Sequence, residues 1–466
     1  MLNFSLLPRQ NYGGRFLKEF RGSGRVRFLL VFCIAAATLA AQDSSSTGSG
    51  DSGNVTERIT AASQFFDHDF VNVYGYGNGV WDSRVPQGLN SSNQESYGGG
   101  FGWEAGGGIT ATHTFRDGGI TVNYRGSYRD YQSATSGSGD EQSLSLGYNK
   151  RLNRHWTFSA NVVGGILTAG ESFYSASSVS SVTPGNPYSL ESRFAQAGLG
   201  LTYAQTRRLS YVFQGSFLYS GYVNPGGAGL NPLSNPVSTR GVTGSASVLY
   251  RLTSKTTVGG SYARSYYAYS GKSGTADIDS LSLQMSHQFS GHWQVDVSGG
   301  VNRSHSQGFA LTPFEFGNAL YLFYLPYNRT VYSPSYQAVL TRAFRHSSFS
   351  LSGGQSVLSG NGLYLASRDQ FVNGAFSYST RRSNFSLGGN YARLSSVSTA
   401  ALSQTYSYYG VSGNYGVTLV RYLSGNLRWD LLHYDNPFGN SALNAYEQRV
   451  SFGLSISSKS VPLTLF

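Results

Sequence analysis

Taken two residues at a time, the stretch Ser280 to Ser304 separates into two lists. Leu281, Leu283, Met285 and Phe289 fall with Trp293, Val295, Val297 and Val301. Ser280, Ser282, Gln284, Ser286 and Gln288 fall with Gln294, Asp296, Ser298 and Asn302. A period of two marks a β-strand with one apolar and one polar face. Facing residues of a hairpin share a face, so Phe289 sits opposite Trp293 only if Ser290, Gly291 and His292 form the loop.

The same pattern recurs along the chain. Short turns flanked by apolar residues stand at Phe115–Ile120, Leu152–Trp156 and Thr206–Tyr211, and at "LTSKTTV", "FSGHW", "FRHSSF", "STRRSNF" and "VRYL". Longer links rich in Gly, Ser, Asn and Pro alternate with them. These marks predict strands over 69–83, 97–115, 119–131, 141–152, 156–168, 190–206, 209–222, 239–252 and 256–268. A second set follows at 278–290, 293–305, 333–345, 348–358, 367–380, 384–394, 405–419, 423–434 and 446–458. That makes about eighteen strands (sixteen on a sparser reading), joined alternately by short turns and long links. The alternation of 69–83 is ambiguous.

A soluble sandwich also alternates, but its inner faces pack Leu, Ile and Val densely. Here the apolar face is diluted with Gly and Ala, and its largest residues gather beside the short turns. Trp156, Phe289, Trp293, Phe344, Phe349, Phe385 and Leu423 are expected at one level. A closed barrel crossing a bilayer has such an aromatic girdle, an apolar band towards lipid and a polar interior. Closure is required because an open edge would leave backbone groups unpaired in hydrocarbon.

Composition agrees. Gly makes up 59 of 466 residues, Tyr 34 and Phe 28, while only 12% are charged, which does not suit a soluble α/β enzyme. Arg25 and Arg27 precede an apolar run from Phe28 to Ala41 that is too short to span a bilayer and ends in small residues, the form of a secretory signal peptide over 1–40. A Ser/Gly-rich leader follows over 41–66, and 67–466 is left for the barrel. Removing 1–40 takes the formal charge from +11 to about +6, with no basic cluster that would suit nucleic acid. Cys33, the one cysteine, goes with that segment, so neither a disulfide framework nor a thiolate metal site is expected.

Signal peptide, even strand count, alternating short turns and long links, and a final aromatic, Phe466, together resemble the bacterial outer-membrane β-barrels of porin type. The resemblance implies an all-β, antiparallel up-and-down barrel with short turns in the periplasm and long loops outside. It also implies outer-membrane lipid as surroundings, and an assembly machinery that reads the C-terminal strand. Val450, Phe452, Leu454 and Ile456 are in phase with Phe466, whereas Pro462 and Thr464 depart from the family's apolar pattern.

No G-x-S-x-G, H-E-x-x-H or Walker-type loop is present, so neither enzyme chemistry, a metal nor a cofactor is expected. His155, His292 and His346 lie in separate turns and read as polar turn residues, and His113 and His433 as interface residues. The lumen is the one functional surface that the pattern defines. Inward phase places Glu104, Arg125, Arg129, Arg193, Arg251, Gln284, Asp296, Arg428 and Asp430 there, a mildly basic set that favours anions. The longest link, Ser306–Ser333, holds Phe309, Phe314, Phe316, Tyr321, Phe323, Tyr324 and Tyr327. So much aromatic surface is unfavourable in water, which suggests a constriction or lid at the mouth, a docking site, or an extension of strands 293–305 and 333–345 packed on neighbouring loops. The leading expectation is a passive channel for small hydrophilic solutes. A surface receptor or export conduit is the alternative, and an outer-membrane hydrolase the third.

Overall fold

The computed structural model describes residues 70–89, 95–132, 138–167, 192–222, 238–270, 274–316, 319–359, 366–397, 405–435 and 446–458. The expected signal peptide and leader, and the C-terminal Pro462, Thr464 and Phe466, lie outside them. Eighteen strands make up the described fold. The first six are β1 (Phe70–Leu89), β2 (Glu95–Phe115), β3 (Gly118–Tyr131), β4 (Gly139–Arg151), β5 (Trp156–Leu167) and β6 (Ser192–Ala204). Then come β7 (Leu209–Tyr222), β8 (Thr239–Arg251), β9 (Thr256–Tyr269), β10 (Gly274–Gln288), β11 (Trp293–Phe316) and β12 (Ala319–Ala343). The last are β13 (Ser347–Ser359), β14 (Ala366–Ser379), β15 (Ser383–Ser396), β16 (Thr405–Val420), β17 (Leu423–Asp435) and β18 (Tyr446–Ser457).

Each strand pairs antiparallel with its neighbours in sequence, and β1 also pairs with β18, so the sheet closes on itself. The seam runs from Tyr74↔Ser457 to Asp82↔Arg449. Close approach there requires glycine: a Cβ on Gly453 would run into the Gly77 carbonyl and the Asn78 side chain.

Alternation decides which face looks out. Leu281 and Leu283 are 65% and 74% exposed, while Ser282 and Gln284 between and beyond them are half-buried. The opening hairpin closes as its pattern requires, with the Phe289 amide donating to the Trp293 carbonyl at 3.1 Å. Outward aromatics form two belts. Beside the short turns, Trp156 packs on Tyr203 with ring centres 4.6 Å apart, and Phe376 lies 6.4 Å from Phe385. Towards the long loops, Trp103 meets Tyr128 at 5.6 Å, and His433 stacks between Tyr409 and Tyr446 at 4.9 and 4.6 Å. Tyr211 and Tyr219 mark the two levels on β7. With eight residue steps from one to the other, at ~3.3 Å each and a strand tilt of ~40°, the belts stand about 20 Å apart.

The link over Ser306–Ser333 takes the form of extended strands, one of the forms weighed for it. It is mostly strand: β11 and β12 stay in register from Trp293↔Arg342 up to Phe316↔Ala319. β10 accompanies β11 only to Gly274↔Gly308, so the upper part is a two-stranded hairpin standing beyond its neighbours. Aromatic residues with alternating polar ones, as in Phe314-Glu315-Phe316, suit a strand as well as a loop.

Candidate functional site

The polar faces of β17, β18, β1, β2, β3 and β4, which lie side by side, make a charged inner wall. Its centre is Glu104 on β2, 5% exposed. One carboxylate oxygen accepts from Arg129 Nη2 at 2.7 Å, and the other from Arg125 Nη2 at 3.4 Å and the Tyr76 hydroxyl at 2.9 Å. Arg125 Nε donates in turn to the Tyr76 oxygen at 3.0 Å, and its guanidinium sits 5.2 Å from the Tyr76 ring centre. Three strands are thereby tied by one carboxylate. Tyr76 can lie flat because Gly106 faces it: a Cβ there would come within 2.8 Å of the ring.

Across the seam, Arg449 of β18 donates from Nε and Nη2 to one oxygen of Asp82 on β1, both at 3.2 Å. Both side chains are buried, at 8% and 4% exposure. Asp430 of β17 faces Arg449 from the other side in register and takes an ion pair from Arg428 at 2.8 Å. The Arg449–Asp82 pair is buried, so removing either partner would leave a desolvated charge on the other.

Of the residues singled out in the sequence, Glu104, Arg125, Arg129, Arg428 and Asp430 come together here on the inner face. Gln284 and Asp296 face inward elsewhere on the wall, Asp296 accepting from Gln294 Nε2 at 3.0 Å. Arg251 has inward phase but stands exposed at the last position of β8. Arg193 is a correction. It faces Ile166 and Gly221, in phase with the outward Leu199, and its guanidinium lies 5.9 Å from the outward Tyr219 ring. A one-residue error in phase carries a side chain to the other face. Asp82, Glu141, Glu447 and Arg449 belong to the wall and were not singled out, Asp82 because β1 alternates weakly. On these strands Arg84, Arg125, Arg129, Arg428 and Arg449 stand against Asp82, Glu104, Glu141, Asp430 and Glu447, so this part of the wall carries no arginine surplus that would favour anions.

A second feature has no signal in the sequence. β13 stays with β12 only to Tyr336↔Gln355, yet it keeps its pairing with β14 up to Ser359↔Ala366. Freed from β12, the upper end of β13 reaches β10 and β11, which it can do only by leaning inward. Val357 of β13 and Ala366 of β14 pack there on Tyr269, Ala276 and Ile278 of the inner wall, with Val397 completing the cluster. Ala276 and Ala366 are wholly buried. The inner surface of β11 and β12 is sealed at Asn302, Ser304, Ser306 and Ser333 as well. An inward-leaning hairpin therefore narrows the long-loop end of the barrel. The backbones of Phe309, Phe314, Phe316, Tyr321, Phe323, Tyr324 and Tyr327 run in the neighbouring β11–β12 hairpin.

No known protein family matches the sequence. No curated protein matches it either. Among solved structures, the chain is similar to Pseudomonas aeruginosa OccK2 (OpdF), at 13% identity and a TM-score of 0.39, over 84% of this chain and 98% of that one. It is similar to a BenF-like porin from Pseudomonas fluorescens Pf-5, at 13% identity and 0.39, over 83% and 99%. It is similar also to the FrpB iron transporter from Neisseria meningitidis, at 10% identity and 0.43, over 86% and 83%. These likenesses are distant and assign no solute to this chain.

Proposed function

We propose that the protein is a passive, porin-like channel for small hydrophilic solutes in the bacterial outer membrane. The observation that carries this reading is the inversion of the barrel, apolar and aromatic outside, polar and charge-paired within. Eighteen strands enclose room for water. In this reading 1–40 directs export, 41–66 is a leader, outer-membrane lipid surrounds the apolar band, and the assembly machinery recognises the C-terminal strand. The charged wall fixes the shape of the aqueous path, and the β13–β14 ends set its narrowest part.

Refolded into a planar bilayer, the mature chain is expected to give a stable open conductance. On gels it is expected to migrate differently before and after boiling, as closed barrels do. A mature chain that is soluble without detergent would overturn the reading. The β11–β12 hairpin favours a second one, a receptor or export conduit, since paired strands standing beyond the wall offer a surface to a partner. Silence in the bilayer, broken only by an added ligand, would support that alternative.

A further inference from the structure

On the outer face, at the long-loop ends of β6, β7 and β8, Arg193 and Arg240 flank one tyrosine. Their guanidinium groups lie 5.9 and 6.0 Å from the Tyr219 ring centre. Both are exposed, and neither holds an ion pair among the described residues. Nearby outward charges behave differently. Arg264 donates to Asp277 and Arg303 to Asp279, both at 3.3 Å, so that group is neutralised from within. Two like charges held at one ring repel each other, which an external anion would relieve.

Their position says where such an anion comes from. Tyr219 stands two residues beyond Phe217 and Arg240 two beyond Val242 on the same outward face, and Arg193 lies above Leu199. Leu199, Phe217 and Val242 are 58%, 42% and 56% exposed and belong to the apolar band. A molecule with its tails against that band places its headgroup at the arginines. Guanidinium recognises phosphate with two parallel N–H donors and gains strength where water is partly displaced. We infer that Arg193, Arg240 and Tyr219 form a site for the phosphate-bearing headgroup of a lipid in the leaflet on the long-loop side. The inference rests on the membrane-spanning reading above.

The test uses the mature chain refolded in phosphatidylcholine vesicles doped with lipid A, a bisphosphorylated glycolipid, or with its dephosphorylated form. Lipid retained on the extracted barrel is read by native mass spectrometry. Wild type is expected to retain the phosphorylated form about tenfold or more over the other. R193Q/R240Q is expected to lose that preference, and R193K/R240K to keep part of it, with the heat-dependent gel shift of each variant reporting an intact barrel. Excess inorganic phosphate is expected to leave the lipid in place. Equal retention of both lipids by wild type overturns the inference, as does wild-type retention by a folded double-glutamine variant or displacement by inorganic phosphate. Failure of wild type to insert into the vesicles sinks the membrane reading and this site together, whereas insertion without preference sinks this site alone.

Discussion

Cutting back the inward hairpin is expected to raise single-channel conductance about twofold or more, because it removes the part of the fold that crosses the aqueous path. Ser356 faces Asp369 in the β13–β14 ladder, so replacing residues 357–368 by Asn-Gly joins the two through a tight turn without changing the register below. The change deletes Val357 and Ala366 and uncovers Tyr269, Ala276 and Ile278. Wall pairing on both sides persists, through Tyr336↔Gln355 and from Gln370↔Arg393 downward, so the barrel is expected to keep its heat-dependent gel shift. Wild-type conductance in a folded variant would show that the narrow point lies elsewhere. The constriction or lid expected from the aromatic residues of Ser306–Ser333 is read in the same recordings. Excising Phe314–Tyr327 raises conductance if those side chains cover the mouth, and leaves it unchanged if the β13–β14 ends alone constrict.

The second large effect is expected at the seam. Asp82→Ala removes the buried carboxylate that accepts from Arg449 Nε and Nη2, and breaking one side of such a pair costs at most about 3–5 kcal/mol, less what Asp430 facing Arg449 from β17 retains. The loss falls on the contact between first and last strands, so the gel shift is expected at lower temperature and urea unfolding in micelles at lower concentration. Glu104→Gln provides the contrast. It keeps the shape of the side chain but leaves Arg125 and Arg129 with no carboxylate at that position. The reversal potential in a salt gradient is then expected to move towards anions. An unmoved potential would mean that the Glu104 network does not face the ion path.

Much of this was legible in the chain. The two-residue period along Leu281, Leu283 and Met285 names the outward face, because side chains on a strand alternate whatever the strand packs against. The turn from Phe289 to Trp293 follows from the same phase, as does the inward placement of Glu104, Arg125, Arg129, Arg428 and Asp430. Even strand number follows from the alternation of short turns with longer links. Phase is fragile where the pattern is weak, though. Arg193 lies beyond two alanines and was put on the wrong face, and Asp82 sits on a Gly-rich strand whose alternation is faint.

What the tertiary structure alone decided depends on contacts between distant strands. Asp82 meets Arg449 because the first strand pairs with the last in one particular register, and no local pattern encodes a register across 367 residues. The inward lean of β13 and β14 has the same origin. Gln355 to Leu358 read as ordinary strand, and only the end of β12 pairing at Gln355, with an apolar surface waiting across the lumen at Ala276 and Ile278, turns them into a constriction. Alternation is a property of neighbours in sequence and can be read there. Closure, register and the path of a strand that leaves its sheet are balances among backbone pairings and buried surfaces that exist only once the wall has formed.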